Sequence, residues 1–364
     1  MPAAQPVIWV GTRKGLFAVH KNATGWKLGA PHFPGEPVTQ VALDPAGRAC
    51  YAALRLGHFG VKLWKSEDEG ASWNEIAAPA FPPKPTEGEW KDDAMPWSVD
   101  MVWGLEAGPG TLWAGCLPAG LFKSADGGAS WQLVESLWLR PERKEWFGGG
   151  YDHPGIHSIA VDPRDANHVT VAISCGGVWQ TRDAGETWAN TSTGMVSDFM
   201  PPERREDPNI QDVHRMAQCL AHPDVFWVQH HGGLYRSTDR GMNWRRLPAP
   251  VPSGFGFAVA AHPSNPHRAW FVPAHSDAQR VPVDGRMVVT ETLDGGASFH
   301  VRRQGLPQHD AYHLVYRHAL AVSHDGTILA MGSTTGGLWV SEDEGTTWQC
   351  LSRDLPPIAV VRMG

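Results

Sequence analysis

The sequence predicts an all-β fold: a seven-bladed β-propeller of four-stranded antiparallel blades, with a C-terminal strand closing blade one. Three observations predict it. One octapeptide pattern, Ser/Thr-x-Asp-x-Gly-x-x-Trp/Phe, occurs six times, opening at Ser66, Ser124, Thr181, Ser237, Thr292 and Ser341, so the chain repeats itself at intervals of 49 to 58 residues. The 364 residues include 18 Trp, 40 Gly and 30 Pro, with 42% hydrophobic and 19% charged, a composition of many short strands punctuated by turns. The first unit lacks one strand, and an apolar run at the other end of the sequence can supply it.

From the N-terminus, Val7-Ile8-Trp9-Val10, Gly15-Leu16-Phe17 and Trp26-Lys27-Leu28 read as the second, third and fourth strands of blade one, with residues 22–25 replacing the octapeptide. No first strand precedes them. Ile358-Ala359-Val360-Val361 follows the last octapeptide without another partner and is assigned as the missing strand, because ring closure removes two exposed sheet edges. In the later units an apolar first strand ends in a turn such as Asp44-Pro45, Asp162-Pro163 or His262-Pro263. A second strand follows, then a step such as Ala119-Gly120-Leu121-Phe122 or Gly232-Gly233-Leu234-Tyr235 opens the third; the octapeptide turns the chain into a fourth, as in Trp131-Gln132-Leu133-Val134. Within the octapeptide the Asp accepts backbone N–H groups, the Gly takes positive φ and the closing aromatic anchors the hairpin. Asp68, Asp126, Asp183, Asp239, Asp294 and Asp343 are therefore read as scaffold, and residues 1–364 as a single propeller domain.

The formal net charge is −7 and no Lys/Arg cluster stands out, which argues against nucleic acid or an anionic membrane as partner. Five scattered cysteines with no CxxC pair indicate neither a disulfide framework nor a structural zinc site. Residues 1–6 show no basic and apolar export signal, and no apolar run is long enough to span a bilayer, so a cytoplasmic location is expected. Oligomeric state is left open.

In a propeller, loops from the fourth strand to the next first strand, and from the second to the third, surround one mouth of the channel. Three of these loops, at about 77–97, 135–155 and 191–212, are longer than a connection needs and are expected to cap that mouth. Phe81, Trp90, Trp97, Trp138, Trp146 and Phe147 in the first two suggest either an exposed binding surface or packing of the cap. The run Gly148-Gly149-Gly150 lacks the strand–loop–helix setting of a phosphate cradle.

Histidines and arginines concentrate at the same mouth. His157, Asp212, His214 and His231 are the candidate catalytic residues, the imidazoles transferring protons and Asp212 orienting one of them. Arg13, Arg55, His153, Arg215, His230, His275 and Arg317 are the candidate contacts to a small polar, anionic or saccharide-like ligand. Two other readings fit the same residues: paired polar groups lining a water-filled channel, and a metal held by imidazoles from different blades. No cofactor is required by the sequence, and the metal stays an open alternative.

Beyond the octapeptides, Gly11-Thr12-Arg13-Lys14-Gly15-Leu16-Phe17, His157-Ser158-Ile159-Ala160-Val161-Asp162-Pro163, Val213-His214-Arg215-Met216 and Gln229-His230-His231-Gly232-Gly233-Leu234-Tyr235 carry a resemblance. The chain resembles the bacterial BNR or Asp-box repeat propellers, a family also labelled sialidase-like or glycosyl hydrolase. That resemblance implies a glycosyl hydrolase-like enzyme. It does not extend to true sialidases, which are six-bladed and carry an Arg-Ile-Pro segment, three carboxylate-gripping arginines and a Tyr–Glu pair. A glycosidase of another type needs two facing carboxylates; Asp100, Glu145, Asp152, Asp198, Asp212 and Asp310 are eligible, and no pair is selected. The alternative is a non-catalytic propeller that helps assemble a larger complex.

Overall fold

The computed structural model describes residues 7–44 and 49–364; the turn at Pro45 and the segment 1–6 discussed above lie outside the described residues. The chain folds as a seven-bladed β-propeller, each blade a four-stranded antiparallel sheet whose strands neighbour one another in sequence order. The exception is blade one. There Ile358–Met363 pairs antiparallel with Val7–Thr12 and completes a sheet whose other strands are Gly15–Asn22 and Gly25–Leu28.

Contacts group the blades into two compact units. Blades one, five, six and seven form one unit, from residues up to Val38, Thr193–Glu206 and Val213–Gly364; blades two, three and four form the other, from Thr39–Ser192 and Asp207–Asp212. Each has its own core. Trp227, Trp270 and Trp339 are fully buried in the first unit, and Trp113, Trp138 and Trp179 in the second. Each tryptophan removes about 150–250 Å² from water, so these rings dominate the packing.

The octapeptide turn explains why the blades resemble one another. Ser66 Oγ accepts the N–H of Gly70 at 2.8 Å and donates to Asp68 Oδ1 at 2.8 Å, while Asp68 accepts the N–H of Ser72 at 2.8 Å and its hydroxyl at 2.6 Å. The same bonds recur around Asp126 and Asp183. Led by the neighbouring hydroxyls of Ser72, Ser130 and Thr187, they hold the carboxyls of Asp68, Asp126 and Asp183 down at about 2. The glycine has positive φ, as at Gly70 (91°) and Gly185 (97°), and so does the residue before it, including Glu69 (58°) and Ala184 (56°). Two consecutive left-handed residues are what a tight turn matching the strand twist requires.

Candidate functional site

Blades three to six share an irregularity at the start of the first strand. Pairing with the second strand shifts between Val102 and Gly104, Ile156 and Ser158, Val213 and Arg215, and Gly256 and Ala258. Trp103, His157, His214 and Phe257 are thus each one extra residue on their strand. A bulge of this kind bends the strand and re-aims the inserted side chain. The rings of Trp103 and His157 meet edge to face with centroids 5.4 Å apart, and His214 stacks on Phe257 at 4.5 Å and 15°.

His214 lies in the first strand of blade five, Val213–Gln218, and is buried. Its Nδ1 donates to the Gly256 carbonyl at 2.6 Å. A carbonyl can only accept, so Nδ1 carries the proton and Nε2 is the lone-pair nitrogen of the neutral ring. His231, half-buried, occupies the turn between the second strand of this blade, Phe226–His230, and the third, Gly233–Ser237. Its ring lies 5.4 Å from that of His214, 4.9 Å from Phe199 and 5.6 Å from Phe255. Phe257 also touches Tyr316, and the guanidinium carbons of Arg280 and Arg317 lie 5.4 and 5.3 Å from its ring.

Asp212 directly precedes this strand, two residues from His214, and is 2% exposed. The Ser174 hydroxyl and the Cys175 N–H each point at Oδ1 from 3.4 Å. Gly149, in the long loop 135–155, packs over the same groups: a Cβ there would sit 2.8 Å from Cys175 Sγ and from Ser174 Oγ, and 3.1 Å from Asp212 Oδ1. One carboxylate and two imidazoles can relay protons, and they are also a donor set suited to a divalent transition metal.

The remaining sequence candidates are distributed as follows. His157, fully buried, has Nδ1 2.9 Å from Ser158 Oγ. His230 is also fully buried; its Nδ1 accepts the N–H of Gly232 at 2.9 Å, holding the turn that presents His231. Arg317 is buried against Phe257, and Arg215 follows His214 in the strand, half-buried. Arg13 and His275 are exposed, and Arg55 is engaged by Asp100 at 2.8 Å. Of the six eligible carboxylates, Asp212 is the buried one; Asp198, like Asp100, is held by an arginine, Arg246 at 2.6 Å. The sequence alone does not single out Phe199, Phe255, Phe257, Tyr316 or Arg280. The alternation Phe255-Gly256-Phe257 at the head of a strand is the signal that points to two of them.

His153 belongs to a different place. It lines a cleft of about 460 Å³ with Glu89, Asp93, Arg143, Trp146 and Asp152, between the loops 77–97 and 135–155. Arg143, 1% exposed, pairs with Asp93 at 2.7 Å and lies 4.5 and 3.9 Å from the ring centres of Trp90 and Trp138. Trp138 in turn contacts Phe81 and Trp97. Of the six aromatics that suggested an exposed binding surface, only Phe147 is exposed; Phe81, Trp90, Trp97 and Trp138 pack the two loops together, and Trp146 packs against Trp179.

No protein-family model matches the chain. It is similar to the oligoxyloglucan-reducing end-specific xyloglucanase of Emericella nidulans, 24% identical over an alignment of 281 residues that covers 70% of this chain and 32% of that protein. The chain thus spans about a third of that relative's length. Among solved structures it is similar to the GH74 xyloglucanase from Xanthomonas campestris, with a TM-score of 0.67 and 17% identity over 97% of this chain and 53% of that one. It is also similar to YCF48 from Cyanidioschyzon merolae, with a TM-score of 0.58 and 13% identity over 94% and 97% of the two chains. These structural likenesses concern the fold alone.

Proposed function

We propose that this protein is a glycosyl hydrolase-like enzyme acting on a small polar or anionic, saccharide-like substrate at His214 and His231, with Asp212, two residues before His214 in the sequence, as the orienting carboxylate. The observation that carries the reading is the convergence of the His214 and His231 imidazoles, 5.4 Å apart between ring centres, beside the rings of Phe199, Phe255 and Phe257. The similarity to xyloglucanases supports saccharide as the substrate class. Aromatic faces suit the apolar C–H face of a sugar ring, and Arg317 beside Phe257 suits an acidic substituent. In this reading His214, whose Nδ1 donates to the Gly256 carbonyl, acts through Nε2 as base toward a water, His231 acts as acid toward the leaving oxygen, and Asp212 supplies negative charge that favours the imidazolium.

The test is turnover of a panel of oligosaccharides, xyloglucan fragments and acidic sugars among them, read as new reducing ends. Wild type should cleave at least one, and His214→Ala and His231→Ala should each lose about 10²–10⁴ in kcat/KM. Turnover unchanged in both variants refutes the assignment.

The same cluster favours a second reading, metal-assisted hydrolysis. The Nδ1 donation of His214 to a carbonyl and the donors at Asp212 Oδ1 are the outer contacts that orient ligands at a metal. A bound divalent ion there would acidify a water. Elemental analysis separates the readings: a near-stoichiometric transition metal lost in the His214→Ala/His231→Ala double variant selects the second, and its absence from active wild type selects the first.

A further inference from the structure

We infer that the octapeptide turn of blade five is a separate binding site for a tetrahedral oxyanion, a phosphate or sulfate group, held between Arg236 and Arg245. The inference is independent of the catalytic reading. The third strand of the blade, Gly233–Ser237, runs from the turn of His231 to the octapeptide, which places the two sites at its opposite ends, about 15 Å apart.

Arg236 in the third strand and Arg245 in the fourth are directly opposite partners. Like charges so placed repel and destabilise the pairing. The corresponding partners in other blades are Lys65 with Asn74, Lys123 with Gln132, and Glu291 with His300, so none faces one fixed cation with another.

Arg236 lies 5.0 Å from the centre of the Trp227 ring and donates through Nη2 to the Pro266 carbonyl at 2.9 Å; its Nε is buried without an acceptor. Arg245 reaches only the Gly295 carbonyl, at 3.4 Å. Among the described residues neither guanidinium has a carboxylate partner. Burial, and then the charge of Arg245, pull the pKa of Arg236 down, as expected for a cation without compensation.

A cleft of about 230 Å³ is lined by Arg236, Thr238, Asp239, Asn243, Trp244 and Arg245. Asp239 is not a competitor for the guanidiniums, because its own turn engages both oxygens: Ser237 Oγ at 2.7 Å and the Asn243 N–H at 3.0 Å on Oδ1, and Asn243 Nδ2 at 2.8 Å on Oδ2. Two guanidinium forks and the Thr238 hydroxyl match the several acceptors of a phosphate or sulfate, and binding would relieve the repulsion across the strands.

The test uses the full chain, wild type and the exposed-site variants Arg245→Gln and Arg245→Glu, and reads thermal midpoints and calorimetric binding. Inorganic phosphate, sulfate and phenyl phosphate are compared with chloride at matched ionic strength. Wild type should show a saturable rise in midpoint with the oxyanions and not with chloride, and Arg245→Gln should lose it. Without oxyanion, Arg245→Glu should melt above wild type, because Glu would face Arg236, and it should no longer respond to phosphate. A stronger response to phenyl phosphate than to inorganic phosphate would assign the site to phosphate esters, and the reverse to the free ion. Equal shifts with oxyanion and chloride in wild type, or an undiminished response in Arg245→Gln, would overturn the inference.

Discussion

Blades five and six follow one another in the chain, carry the same octapeptide turn and use their charged residues differently. In blade six, Glu291 is fully buried and accepts from Arg268 at 2.5 Å and Arg302 at 2.7 Å, while Arg268 also reaches Glu344 beyond it. Every strong charge in that network has an opposite charge beside it. Blade five has Arg236 where blade six has Glu291, and Arg245 where blade six has His300. At its other end it carries His214 and His231. A shared scaffold dictates neither arrangement, so the difference separates residues that hold the fold from residues that await something outside it.

That contrast predicts opposite phenotypes on adjacent blades. The largest effect should come from His231→Ala, a loss of about 10²–10⁴ in turnover with little change in stability, seen by pairing kinetics with a urea melt. If His231→Ala instead unfolds the protein, blade five is scaffold after all. Next comes Glu291→Ala, which strands Arg268 and Arg302 around an empty position. It should cost about 3–5 kcal/mol of unfolding free energy while leaving turnover per folded molecule intact. A smaller effect is expected from Gly149→Val. Its side chain has to displace Ser174, Cys175 or the carboxylate of Asp212, and turnover should fall by about 10-fold to 100-fold at nearly unchanged substrate affinity.

The smallest effect concerns the turns that the blades share. Asp68, Asp126 and Asp183 have folded pKa values depressed to about 2, so the stability they contribute is complete above their unfolded value of about 3.9. It is lost as pH falls through about 2, where the native carboxylates take up protons. Thermal midpoints should therefore drop between about pH 4 and 2, and Asp126→Asn should flatten that drop slightly. An unaltered acid limb in the variant would mean that other groups drive acid unfolding.

The fold was legible because its instructions are local. Six copies of one turn place twelve strands, and the alternating apolar residues between them place most of the others; even the strand at Ile358–Met363 was readable, as an apolar run with no neighbour in sequence. The site was legible in part. His157 and His214 could be placed at the start of first strands, but not as bulged residues equivalent to Trp103 and Phe257, because a one-residue insertion leaves no mark in a run as short as Val213–Gln218. His230 and His231 are adjacent in sequence and part company in space, one sealed inside the sheet and the other at the turn. The loop aromatics looked exposed because nothing in their spacing announces Arg143, the residue around which Trp90 and Trp138 gather.

The pairing of Ile358–Met363 with Val7–Thr12 also bears on how the molecule is made. As the chain leaves the ribosome, strands Val7–Thr12, Gly15–Asn22 and Gly25–Leu28 emerge early, but the partner of the first emerges only after six other blades. Until then that edge offers an uncovered row of backbone donors and acceptors, open to pairing with a neighbouring nascent chain. Closing the sheet joins opposite ends of the sequence, the kind of distant contact that slows folding. Of the seven blades, blade one is thus both the first to be started and the last that can be finished, and a chaperone that shields a strand edge would find its longest-lived target there.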